Sequence, residues 1–143
     1  MTKKTFCVGQ EITAEDCSFG LGSIYLVGTE QKWKDEFIKK IGCNCSIFNT
    51  CNTKPIPYTQ RYQWESMAMS MAGLIVFWFP ENNVCEKDLI DFGIWSNSER
   101  VFLGIENKKE NSYQTHLFYQ NHRLYPAETL DQLAEMVTHW LKE

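Results

Sequence analysis

Apolar residues along this chain fall into two kinds of run that take turns. Short unbroken runs, rich in β-branched and aromatic residues, read as strands buried on both faces. They are Ser23-Ile24-Tyr25-Leu26-Val27, Cys45-Ser46-Ile47-Phe48-Asn49 and Val101-Phe102-Leu103-Gly104-Ile105. The longest is Ala72-Gly73-Leu74-Ile75-Val76-Phe77-Trp78-Phe79, which Pro80 and the polar Glu81-Asn82-Asn83 end abruptly. Between these runs, apolar residues recur at the spacing of a helix with one buried face. Lys32 to Ile41 carries Trp33, Phe37, Ile38 and Ile41 on such a face, and Gly42 suits the position just past its end. Gln60 to Met71 carries Trp64, Met67, Ala68 and Met71. A third helix, capped by Asn82 or Asn83 and running to about Trp95, would turn Leu89, Ile90, Gly93 and Ile94 inward, with Gly93 allowing close packing on the sheet. The last follows Thr129-Leu130-Asp131-Gln132, a capping-box pattern, and buries Leu130, Leu133, Val137, Trp140 and Leu141. Thr5 to Val8 reads as an edge strand, Tyr113 to Gln120 as a short helix and Arg123-Leu124-Tyr125 as a last short strand.

Strand and helix alternate throughout, which is the pattern of a three-layer α/β domain. Right-handed crossovers then favour a flavodoxin-like sandwich: a mainly parallel five-stranded sheet with helices on both faces. Its expected strand order is 2-1-3-4-5, counted from the strand at 23–27, with residues 1–143 in a single domain. In that order the strands at 23–27 and 74–79 are neighbours and the switch point lies between them. Ligands of such sheets bind outside the carboxyl ends of the strands, at that point. Gly28-Thr29, Pro80-Glu81 and the carboxylates of 86–91 would therefore converge at one edge.

Composition narrows the partners. A chain of 143 residues with 43% hydrophobic and 14% aromatic residues forms a real core in one domain. A net charge of −4 leaves no basic footprint, so a nucleic acid polymer is not an expected partner, although a single nucleoside or nucleotide stays open. No stretch approaches the roughly 18 apolar residues of a membrane span. The basic Met1-Thr2-Lys3-Lys4-Thr5 is followed by no apolar signal core, so the chain reads as cytoplasmic and its six cysteines as reduced thiols. Cys43 and Cys45 are too close for a zinc knuckle, and His116, His122 and His139 lie far along the chain, so no metal is expected.

The residues able to carry chemistry are Tyr25, Glu65, Glu86, Asp88 and Asp91. Asp88 and Asp91 are three apart on one helix face, close enough to repel each other. The plain alternative is an exposed Lys87–Asp91 pair, four apart, with Glu65 a solvated carboxylate and Tyr25 and Trp78 ordinary core aromatics. A glycine and a small polar residue after a strand, as at Gly28-Thr29, also suit contact with an anion through backbone amides. The loop after 23–27 lacks the Ser/Thr-rich phosphate cradle that FMN needs, and the central strand ends in Pro80 where a phospho-receiver has aspartate.

Ser-Ile-Tyr-Leu-Val-Gly-Thr at 23–29, Gln-Trp-Glu at 63–65, Leu-Ile-Val-Phe-Trp-Phe-Pro at 74–80 and Leu-Ile-Asp-Phe-Gly at 89–93 form an ordered set. Together they resemble the nucleoside 2-deoxyribosyltransferase-like family, from about residue 5 to the end. The resemblance implies the same flavodoxin-like fold and an enzyme that cleaves, and often transfers, the N-glycosidic bond of (deoxy)nucleosides or their monophosphates. It implies Asp91 as the nucleophile that forms a glycosyl ester, Glu65 as the acidic partner and Tyr25 as an orienting group. Gly28 and Thr29 would line the sugar or phosphate end, with Pro80, Glu86 and Asp88 also at the substrate. It calls for no cofactor, and it implies a homo-oligomer whose sites borrow residues from a neighbouring subunit. The chain departs from the family pattern at three positions. The nucleophile there is usually glutamate and here is Asp91, shorter by a methylene, roughly 1.5 Å of reach where about 1 Å of misplacement is worth on the order of a hundredfold in rate. Aspartates expected before the central strand and ahead of the nucleophile are Gly73 and Cys85. A non-catalytic nucleotide-binding or sensing module on the same fold is the alternative.

Overall fold

The computed structural model describes residues 2–28, 30–50, 55–81, 85–107, 112–122 and 124–143. Five strands, β1 (Lys3–Phe6), β2 (Ser23–Val27), β3 (Cys45–Asn49), β4 (Leu74–Phe79) and β5 (Val101–Ile105), form one sheet in the order β1-β3-β2-β4-β5. Every pairing is parallel. The helices are α1 (Ala14–Cys17), α2 (Gln31–Lys40), α3 (Tyr58–Met71), α4 (Glu86–Trp95), α5 (Tyr113–His122) and α6 (Leu130–Lys142). The result is a three-layer flavodoxin-like sandwich. The order of β3, β2, β4 and β5 is the expected one, with β2 and β4 adjacent.

The fifth strand lies at the opposite edge from the one expected. β1 pairs with β3, whereas Leu124 and Tyr125 form no strand, Arg123 lies outside the described residues, and among the described residues that edge carries only a bridge from Gly104 to Ala127. A three-residue run makes too few ladder bonds to hold an edge, and Pro126 cannot donate one.

Alternation along the strands divides the core into two. Tyr25, Val27, Phe48, Ile75, Phe77, Phe79 and Leu103 face the layer of α3, α4 and α5. Ile24, Leu26, Ile47, Val76, Trp78 and Phe102 face α2 and α6. Successive strand residues point to opposite faces, so both sides of each run are buried. The capping box at Thr129 forms in part: its side chain accepts from the Gln132 amide at 3.1 Å, while Gln132 reaches back to the Glu128 amide.

α4 sits differently from its apolar pattern. Leu89, Ile90 and Ile94 are exposed, the last two at 63% and 65%, and a Cβ on Gly93 would meet nothing. The buried face is instead Asp88 and Phe92, flanked by Asp91 and Trp95. Phe92 and Trp95 define a second stripe, and Phe92 makes edge contacts with both Phe77 and Phe79. The large aromatics win the sheet and carry the carboxylates inward with them. Asn82 and Asn83 lie outside the described residues, and the cap position belongs to Cys85. α3 shows a smaller rotation: Trp64, Glu65, Ala68 and Met69 are buried while Met67 is exposed.

The cysteines also depart from expectation. Cys17, Cys43, Cys45 and Cys85 are free, but Cys7 is disulfide-bonded. Pairing follows proximity in the fold, which spacing along the chain does not reveal, and this bond removes the thiol argument for a reducing compartment. No helix among the described residues is long and apolar enough to cross a membrane.

Gly20 is held where no other residue fits. Its φ is +61° and a Cβ there would lie 2.2 Å from the Asn44 carbonyl oxygen, against backbone that cannot move aside. Gly20→Ala is expected to destabilise the fold by about 3 kcal/mol, read as a lower urea midpoint at unchanged slope.

Candidate functional site

The carboxyl ends of β2 and β3 set the floor of the site. β2 presents Tyr25 and Val27 to the α3/α4 layer, and the strand stops at Gly28, whose φ of +140° suits glycine. Thr50 follows β3 at the same edge, and its Oγ1 donates to the Gly28 carbonyl at 3.0 Å. α3 and α4 bring Arg61, Glu65, Lys87, Asp88 and Asp91 to this edge. With Tyr25, Val27, Gly28 and Thr50 they line a polar pocket of about 20 Å³. That is room for about one water molecule or one ligand hydroxyl. A second cleft of about 540 Å³ shares Glu65, Lys87 and Asp91 and runs out between the two helices. It adds Tyr58, Tyr62, Met69, Glu86, Ile90, Ile94 and Trp95. A polar pocket thus adjoins a mostly apolar cleft of the size that takes a small organic ligand.

Charges in the pocket are linked across two helices. Lys87 Nζ lies 2.9 Å from Asp91 Oδ2 on its own helix and 3.5 Å from Glu65 Oε2 on α3. Arg61 Nε lies 3.7 Å from the other Glu65 oxygen. Burial works against the Lys87 charge, but its hydrogen bond to Asp91 and the Glu65 charge outweigh it and raise its proton affinity. Burial also pushes the Asp88 carboxyl up; Lys87 opposes this and the Asp91 charge adds to it. Burial first, then the Glu65 and Asp91 charges, hold the Tyr25 phenol far above the usual tyrosine range, so it stays a hydroxyl donor. On the opposite layer, Lys34 of α2 reaches the same edge: its Nζ donates to the Gly28 carbonyl and, at 2.6 Å, to Thr50 Oγ1.

Tyr25, Glu65, Asp88 and Asp91, far apart in sequence, meet in the polar pocket, with Gly28 beside them. Glu65 is not the solvated carboxylate that its helix pattern suggested but is buried at 4% exposure. The plain Lys87–Asp91 pair also forms, yet the Asp91 side chain is only 13% exposed, so the pair belongs to the pocket. Glu86 is exposed and lines the outer cleft. Pro80 ends β4 and lines neither cavity, and Thr29 lies outside the described residues. Trp78 faces the other layer as core. Thr50, Arg61 and Lys34 were not legible as site residues. Arg61 had a signal, its position four before Glu65; Thr50 had only its place after a strand. Among the described residues, no group of three His, Cys, Asp or Glu side chains is placed to hold a metal ion.

No protein-family model matches the chain, and no curated protein matches it either.

Proposed function

We propose that this chain is a nucleoside 2-deoxyribosyltransferase-like enzyme acting on the N-glycosidic bond of a (deoxy)nucleoside or nucleoside monophosphate. One observation carries the reading: Asp91, Glu65 and Tyr25 line one pocket at the carboxyl edge of the sheet, and the resemblance needs them together. The chemistry follows from their types. The Asp91 carboxylate attacks the anomeric carbon as the bond to the base breaks, leaving a glycosyl ester and electrons on the departing nitrogen. Asp88, whose proton affinity is raised, meets that charge with a proton and becomes a carboxylate, while Glu65, paired with Lys87 and Arg61, lines the pocket beside it. The Tyr25 hydroxyl donates a hydrogen bond that orients the sugar or the attacking carboxylate. Water or a second base then opens the ester and frees Asp91. The base itself fits the outer cleft, where Tyr58, Tyr62 and Trp95 offer flat apolar surface.

Incubation with deoxynucleosides and their monophosphates is expected to release free base. No release from any of them by the wild-type chain would sink the enzyme reading. The alternative, a nucleotide-binding or sensing module, draws on two features of the pocket: Asp91 is tied to Lys87, and it is one methylene shorter than the family glutamate. Tight binding without release would favour it.

The same reading carries the homo-oligomer. Ile90 and Ile94 stand exposed on α4 beside the cleft, with Tyr58 and Tyr62 on α3. Apolar residues clustered at a site rim suit a subunit contact. Sedimentation is expected to show a dimer or larger, and Ile90→Glu with Ile94→Glu a monomer; a wild-type monomer at micromolar concentration refutes it.

A further inference from the structure

We infer that Lys34 is a positioning residue of this pocket: its buried ammonium ties the Gly28 carbonyl to Thr50 beneath the carboxylates and supplies the positive charge against which Asp88 and Glu65 are set. The inference rests on the geometry of the pocket; only its kinetic arm rests on the proposed function.

Lys34 is 1% exposed, and a buried cation is unfavourable unless something nearby compensates it. Its hydrogen-bond acceptors among the described residues, a carbonyl and a hydroxyl, are neutral. No carboxylate among the described residues is within ion-pair distance of it. A methionine of similar length would fill the same space without that penalty. What favours a cation here is the field of the pocket. The ammonium holds Gly28 and Thr50, which line the same small pocket as Asp88 and Glu65. The charges of those two carboxylates favour it, while Arg61 and Lys87 oppose it. A charge retained against the fold's own stability, next to a cleft, marks a functional arrangement.

The ammonium has two effects on the site. It pins Gly28, the turn that ends β2, to the end of β3, so the floor cannot open when a ligand presses on it. It also partly offsets carboxylates whose Lys87 partner sits at the mouth, where a ligand would disturb it.

The test titrates the Asp88 carboxyl by carbon-13 NMR in the full chain, as wild type, Lys34→Met and Lys34→Arg, with thermal melting as the control for folding. Loss of the cation is expected to raise the Asp88 midpoint by about half a pH unit or more. Lys34→Arg is expected to leave it near wild type. A purely structural lysine would lower the melting temperature without moving Asp88, and an unmoved midpoint in folded Lys34→Met overturns the inference. If Lys34→Met does not fold, Asp88→Asn reads the same coupling from the other side. The Lys34 Nζ midpoint, followed by nitrogen-15 NMR, should then fall by a similar amount, because coupling is reciprocal; no change overturns the inference. Where the wild type releases base, Lys34→Met is expected to lower kcat about tenfold, with Lys34→Arg restoring most of it. A wild type inert towards every nucleoside removes the proposed function and leaves the titration to decide on Lys34.

Discussion

Asp91→Ala is expected to lower base release by about a thousandfold or more, because it removes the nucleophile of the proposed reaction. Binding should survive, since the cleft walls that hold the base are untouched. Loss of kcat with KM nearly unchanged is therefore the expected signature, read by chromatography of free base over time. Asp91→Glu is the sharper variant. It extends the carboxylate by roughly 1.5 Å, a reach on which about a hundredfold in rate can turn. It is expected to turn over at least as fast as the wild type, with Lys87 able to follow from the preceding helical turn. If Asp91→Ala releases base as fast as the wild type, the nucleophile lies elsewhere. If wild type and Asp91→Glu both bind nucleoside and release nothing, the pocket is a sensor.

Lys34 leads to an alkaline effect of comparable weight. Burial, partly countered by Asp88 and Glu65, lowers its proton affinity from the ordinary lysine value of 10.5 to about 8. Below pH 8 both the folded and unfolded chains hold the proton, and the folded state bears the full penalty. Between pH 8 and 10.5 the folded chain sheds it while the unfolded chain keeps it, so stability rises with pH across that window. The rise from this group alone is about 3 kcal/mol. Tyr25 acts in the opposite sense, because unfolding releases a phenol that the fold holds protonated. The difference between wild type and Lys34→Met cancels that contribution. Urea unfolding of both at pH 7 and pH 10.5 should show the gap moving by about 3 kcal/mol in favour of the wild type. A gap that does not change with pH would mean that Lys34 is not a buried cation.

Much of the fold was legible because continuous apolar runs admit one interpretation. A strand such as Leu74 to Phe79, buried at every position, has no polar face to misassign. Helices with two apolar stripes admit two. On α4 the stripe of Leu89, Ile90 and Ile94 is as apolar as that of Phe92 and Trp95, and periodicity ranks them equally. Only the ring contacts of Phe92 with Phe77 and Phe79 decide which turns inward. That rotation is also what buries Asp88 and brings Asp91 to the pocket. Lys34 was hidden for a related reason. A lysine between Trp33 and the next turn reads as solvated, and nothing local shows that Gly28 and Thr50 will wait at its tip.

The chain by itself determined the alternation of elements, the parallel sheet, the neighbouring β2 and β4, and the carboxylates and tyrosine available to a site. These rest on short-range patterns, which burial on one or two faces writes directly into the order of residues. Tertiary structure alone decided which edge the fifth strand takes, which face of α4 is inside, that Cys7 is bonded, and that a buried lysine lies under the carboxylates. The first two are competitions between surfaces distant in sequence, won by whichever packing excludes more water; the last two depend on neighbours that only the fold brings together.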